Sequence, residues 1–345
     1  MKADRRTAPI GTRITSPPRE VENQKSMILR LYRKITRSDR RKEQLSSTIC
    51  ERLPANPIIT PEMLSADEGR NINGPSLVRA PEWLPGRLGR YYLYFAHHSG
   101  TTIRLAYADQ LDGPWRIHAG GTLRLADAPA CHGHIASPDV HVDEKERRIR
   151  MYFHGPSAGG GQKSYVALSD DGLRFRARGE ALGTYYFRLV RWRGGWIAMA
   201  KGGVMYRSRD GLADFVANPR PAFPMRHPDA NAPGDVRHVA LHRSGDRLNV
   251  YFSRIGDAPE RILRARIDLA KDPGEWIAGE ADEILRPEMD WEGAHLRLGE
   301  SRSGPSKSRE NALRDPAIFE EDGRLYLLYS VAGESGIGIA EMRNR

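Results

Sequence analysis

Three aspartates stand at the start of similar apolar stretches: Asp139 in SPDVHVD, Asp235 in DVRHVALH and Asp315 in RDPAIFEE. Basic residues lie beside two of them, Arg237 and His238 after Asp235 and Arg314 before Asp315. Carboxyl groups gathered from separate segments can do acid–base chemistry, one protonating a leaving oxygen while another activates water or attacks. A carboxyl is an acid near neutral pH only if burial or a neighbouring negative charge raises its pKa. Glu260, after Pro259, and Glu292, between Trp291 and Gly293, are the expected proton donors. Asp139, Asp235 and Asp315 would form the floor. An Asp before Pro is also ordinary turn chemistry, and a structural carboxylate is an even alternative at any one of these places. Recurrence at equivalent positions is what favours chemistry.

The elements carrying these residues repeat five times. An apolar run ending in aromatic residues, a polar gap, a second apolar run and a Gly-containing turn recur at 91–115, 148–175, 195–215, 247–276 and 324–342. A further strand precedes each copy, at 74–80, 137–143, 186–192, 236–242 and 315–321, with alternation such as Val140/Val142 against His141/Asp143. Self-similar strand units spaced by about 50 residues indicate radial repetition. The expected fold is therefore all-β, a five-bladed β-propeller over 54–345 behind a basic N-terminal extension, 1–53, that is partly helical or disordered. The last copy stops at its third strand, so a segment from the N-terminal side should complete it, and NPIIT at 56–60 is the candidate.

Composition narrows the function classes. The net charge of +10 is concentrated in residues 1–53, with 14 Lys/Arg against 6 Asp/Glu; the rest carries 40 against 38. The propeller thus makes no charge-based claim on nucleic acid. Helix-like spacing at Met27, Ile28, Leu31, Ile35 and Leu45 fits a surface helix, or a basic docking helix. Two cysteines make neither a disulfide framework nor a zinc pattern, and neither a signal peptide nor a membrane span is evident, so a cytoplasmic protein is expected. His132-Gly133-His134 alone is weak support for a transition metal. GPSAGGGQ lacks the Lys-Ser/Thr of a phosphate loop. SDDGL and SRDGL read as structural turns at the outer edge.

In a propeller the inner strands begin near the axis, so residues at those starts and on the loops between second and third strands share one pocket. Asn73, Arg188, His238 and Arg314 are floor candidates; His97, His98, His154 and Arg254, with Lys201 and Glu334, lie on the loops. The arginines suit an acidic sugar or phosphate, or else simply pair with adjacent aspartates. Trp83 and Trp291 fall outside the repeat and are candidates for stacking on a sugar face. The segment 287–315 is a long insertion of the kind that binds ligands or forms a lid.

SPDVHVD, RDPAIFEEDGRLYLLYS and GPSLVR, within this blade pattern, resemble the five-bladed propeller glycoside hydrolases of family 43 and the related families 32, 62, 117 and 130. The likeness covers roughly residues 56–345. It implies a glycosidase acting on a small oligosaccharide or glycoside in the central funnel, by exo-action, without an organic cofactor. A structural calcium ion on the axis, beside His238, is compatible with it. Asp139 matches the family's substrate-orienting, acid-tuning Asp. The family's base Asp belongs to the first blade, where this chain has Asn73-Gly74-Pro75, and its acid Glu to the third, where Arg188 stands. A relocated catalytic set, a carbohydrate-binding pseudoenzyme and a phosphate-dependent glycoside phosphorylase all remain open. Sugar identity, stereochemical course and oligomeric state are not set by the sequence.

Overall fold

The aromatic-ended runs form the second strands of five antiparallel sheets. In the computed structural model, residues 48–344 apart from Ala66 are described. Each sheet has a four-strand meander path, and the sheets of blades one and two carry a fifth short strand, Leu123–Arg124 and Gly183–Thr184, paired to the third. The inner strands are Asn73–Arg79, Ala136–Asp143, Arg188–Trp192, Val236–Ser244 and Arg314–Glu321, defining blades one to five. Second strands are Tyr91–Ala96, Arg148–Pro156, Gly195–Met199, Arg247–Arg254 and Arg324–Ser330. Thr102–Ala108, Gln162–Ser169, Met205–Ser208, Ile262–Asp268 and Ile337–Asn344 come third. The outermost are Arg116–Ile117, Arg176–Ala177, Val216–Ala217, Asp282–Leu285 and, in blade five, Thr48–Arg52.

The ring is therefore closed from upstream of the expected segment. Thr48–Arg52 pairs with the third strand of blade five, whereas 56–60 contributes only a bridge from Ile59 to Ile337. Strand structure at Thr48–Arg52 replaces the helix expected up to residue 53; the rest of that helix lies outside the described residues. The strand was inconspicuous because Ile49 and Glu51 are both exposed, so TICER has no apolar face.

Local sequence accounts for the hairpins. Arg193-Gly194 and Asp322-Gly323 both have two successive positive φ values (44° and 78°; 52° and 73°), the two-residue turn whose twist matches paired strands. Stability comes from between the blades. Five apolar clusters fill the five interfaces: Tyr94 and Met151 join blades one and two, Tyr152 and Leu189 two and three, Ile197 and Val250 three and four. Tyr251 and Leu327 join four and five, and Leu93 and Leu328 close five onto one. The two SxDG turns serve these interfaces. Ser169 and Asp171 hold one turn so that the Gly172 carbonyl accepts the Tyr94 hydroxyl; Ser208 and Asp210 hold the other so that Gly211 accepts Tyr152.

Four inner strands open with the same register shift, between Asn73/Ser76, Ala136/Asp139, Val236/Val239 and Arg314/Ala317. Such a bulge re-aims one side chain. Gly74, Ser137 and Asp315 occupy the same bulge position, with φ of 58°, 51° and 51°, and Tyr186 (68°) occupies it before the third inner strand. A Cβ at Gly74 would lie 3.1 Å from the Ser137 Cα, so blades one and two approach closely there.

Candidate functional site

The bulges deliver Tyr186, Arg237 and Asp315 toward the axis, and the following residue, His238, joins them. Asp315 pairs with His238 Nδ1 across the blade four/five boundary and accepts the Ser330 hydroxyl at 3.1 Å. The Tyr186 ring lies between two imidazoles, 4.2 Å from His238 and 4.1 Å from His154. Burial, then the neighbouring cations, push both histidines well below their ordinary range, so both are neutral at physiological pH. Non-glycine residues in left-handed backbone at Asp315 and Tyr186 are strained positions of the kind that concentrate at functional sites.

Glu334, on the loop between the second and third strands of blade five, accepts a hydrogen bond from the Asn71 amide and lies 3.7 Å from His98 Nδ1 and 3.6 Å from Arg314. Burial opposes its ionisation, but His98, Arg314 and Asn71 outweigh it and hold the carboxyl down to about 2. Asn73 donates to Asn71 at 2.9 Å, placing the expected Asn73 and His98 in one cluster with Glu334.

The arginines at the floor are engaged by partners other than the adjacent aspartates. Glu260 receives Arg237 Nε at 2.8 Å, Arg314 Nη2 at 2.9 Å and the Ser253 hydroxyl at 2.7 Å. Arg314 also holds Glu310 at 2.7 Å, and Arg237 reaches the carbonyls of Arg302 and Gly304 in the insertion. Arg188 donates to the carbonyls of Ser137, Pro138 and Val239. Glu260, with two guanidiniums on it, is an ion-pair hub.

Other expected residues lie apart from this cluster. Asp139 faces the blade two/three interface, 2.9 Å from His141 Nε2 and accepting Leu189 N–H at 2.8 Å. Burial alone would raise its pKa; His141 and Arg188 hold it below the usual range. Asp235 caps its own loop, accepting the amides of Arg226 (2.6 Å) and Ala232 (2.9 Å). Glu292 sits against the outermost strand of blade five, bidentate to Arg52 at 2.7 and 2.9 Å and accepting the Tyr329 hydroxyl. Trp291 stacks on Tyr329, and Trp83 donates to Glu144 at the far end of an inner strand, so neither tryptophan is an axial sugar platform. Arg254 lies over Phe252. His97 lines a cavity of about 240 Å³ beside Asp67, Glu68 and Ser99.

Sequence reasoning missed Tyr186 as an axial ring and undervalued Glu334 and Lys201. The alignment of Tyr186 with Gly74, Ser137 and Asp315 at the bulge was the available signal. A calcium site does not fit here: His238 is occupied by Asp315, its surroundings are cationic, and no group of three His, Cys, Asp or Glu among the described residues is placed to hold a metal ion. Nor is any helix among them long and apolar enough to cross a membrane.

The five-sheet ring is the fold of solved family-43 glycoside hydrolases, and the chain is a divergent propeller of that type. It superposes on a thermostable family-43 glycoside hydrolase with a TM-score of 0.55 at 15% identity, covering 79% of this chain and 89% of that one. For a family-43 enzyme from Xanthomonas citri complexed with xylotriose the values are 0.55 and 14%, over 84% and 93%. For an exo-1,5-alpha-L-arabinanase from a bovine ruminal metagenomic library they are 0.52 and 12%, over 79% and 93%. No family model matches the sequence. By sequence the chain belongs to the same family as Uncharacterized protein R118 of Acanthamoeba polyphaga mimivirus, 37% identical over 318 residues, 84% of this chain and 89% of that protein.

Proposed function

We propose that the axial funnel binds the end of a small oligosaccharide or glycoside and hydrolyses one glycosidic bond. The observation that carries this is a pair of blade-five carboxylates at the inner ends of the strands: Asp315 against His238, and Glu334 hydrogen-bonded by Asn71 and 3.6 Å from Arg314, the residue next to Asp315. Asp315, beside the neutral His238, would carry the proton given to the leaving oxygen. Glu334, ionised throughout the physiological range, would take one from the attacking water. The set is thus relocated to blade five from the positions the family uses. No organic cofactor enters this chemistry, and a cytoplasmic location belongs to the same reading.

A screen of aryl glycosides, xylooligosaccharides and arabinooligosaccharides is the test; xylotriose belongs in it because the Xanthomonas citri neighbour is complexed with it. Asp315→Asn and Glu334→Gln should each lower kcat by about a thousand-fold, the order a positioned acid or base contributes. Full turnover in both variants would refute the assignment. The second reading is a sugar-binding protein without turnover, favoured because Asp315 and Glu334 each have protein partners; it predicts calorimetric binding with no product. Phosphorolysis has less support, because Arg188, Arg237 and Arg314 are engaged by protein oxygens.

A further inference from the structure

Among the axial cations, Lys201 differs in how it is held. It begins the turn Lys201–Gly203 between the second and third strands of blade three, with its backbone N–H bonded to the Tyr185 carbonyl. Its ammonium has three donors. Among the described residues Nζ donates one hydrogen bond, to the neutral amide oxygen of Asn231 at 2.5 Å, and lies 5.4 Å from the Tyr185 ring. Asn231 is itself held by the Ser303 hydroxyl at 2.7 Å, tying the blade three/four connection and the insertion before blade five into one cradle. The arginines nearby are bonded to carboxylates or carbonyls; this ammonium is half-buried and has no carboxylate in bonding contact. Asp229 and Asp235 face it at longer range, but Asp235 is turned to its own loop amides and Asp229 is exposed.

We infer that Lys201 recognises a negative charge on the substrate, so that the funnel takes an anionic sugar, foremost a uronic acid whose carboxylate meets the Nζ donors. This rests on the carbohydrate reading above but not on hydrolysis. A charge-assisted hydrogen bond is about twice as strong as a neutral one, and the cradle is already ordered around the amine. Burial, and secondarily Arg237, push the amine down to about 8, opposed by Asp235 and Asp229. It is charged at neutral pH and loses its charge above that value.

The experiment is calorimetric titration of the full chain with glucuronate and galacturonate against glucose and galactose, with glucose 6-phosphate as a further arm. The expected result is at least about ten-fold tighter binding of an anionic sugar than of its neutral counterpart, consistent with one charged hydrogen bond. That preference should be lost in Lys201→Gln, be retained in Lys201→Arg, and fade as pH rises through about 8. Lys201-dependent binding of the sugar phosphate in place of the uronates would keep the charge recognition and move the anion to phosphate. Equal affinity for charged and neutral sugars, a preference that survives in Lys201→Gln, or no binding of any anionic sugar would overturn the inference. Uronate binding without turnover would leave it standing while removing hydrolysis; turnover of neutral glycosides alone would do the reverse.

Discussion

Two guanidiniums from different blades converge on Glu260, which has no solvent exposure. Removing the carboxylate strands both charges in a low-dielectric interior, so Glu260→Ala should cost about 3–5 kcal/mol in urea denaturation. A loss under about 1 kcal/mol would show that the hub is solvated or dispensable. Glu334 contributes stability that depends on pH. Its folded pKa, about 2, lies below the unfolded 4.5, so its contribution is complete above about 4.5 and disappears as pH falls toward 2. Glu334→Gln should therefore flatten the acid limb of the stability profile; an unchanged slope between about pH 5 and 2 would contradict the pairing. Asp315 was legible because a carboxylate at a repeated strand start is visible in one dimension. The distant partners were not: Arg237 and Glu260 are 23 positions apart, and nothing local distinguishes an arginine bonded to Glu260 from one bonded to Asp235.

At the scale of elements, period-two alternation and hairpin glycines gave all five inner strands to within a residue or two. Register they could not give. The bulges re-aim one residue in each of four inner strands and leave Asp139, two positions beyond Ser137, facing the neighbouring blade. The insertion was equally opaque. Glu292 in a polar loop reads as a candidate acid, yet its partners are Arg52, Tyr329 and the amides of Glu288 and Met289. Glu292→Gln should destabilise the fold by about 1–3 kcal/mol, because the half-buried Arg52 guanidinium, still paired with Glu288, loses the charged half of its bidentate partner. The remaining folded protein should retain wild-type kcat. Lost turnover at unchanged stability would restore Glu292 as a catalytic group.

For the whole molecule, the count of repeats was enough to fix five blades, while closure depended on a strand with two exposed residues and no apolar stripe. Deleting residues 1–53 should open the edge of blade five and give a protein that aggregates or melts well below the full chain by calorimetry. Deleting 1–47 leaves Thr48–Arg52 paired and should preserve a cooperative transition. Equal melting of the two truncations would show that the edge strand adds nothing. This closure also sets an order of events during synthesis. Thr48–Arg52 leaves the ribosome before every other strand of the ring, and its partner Ile337–Asn344 leaves last. The earliest segment must stay uncommitted while nearly three hundred residues are translated, its edge open to neighbouring nascent chains until Ile337–Asn344 emerges.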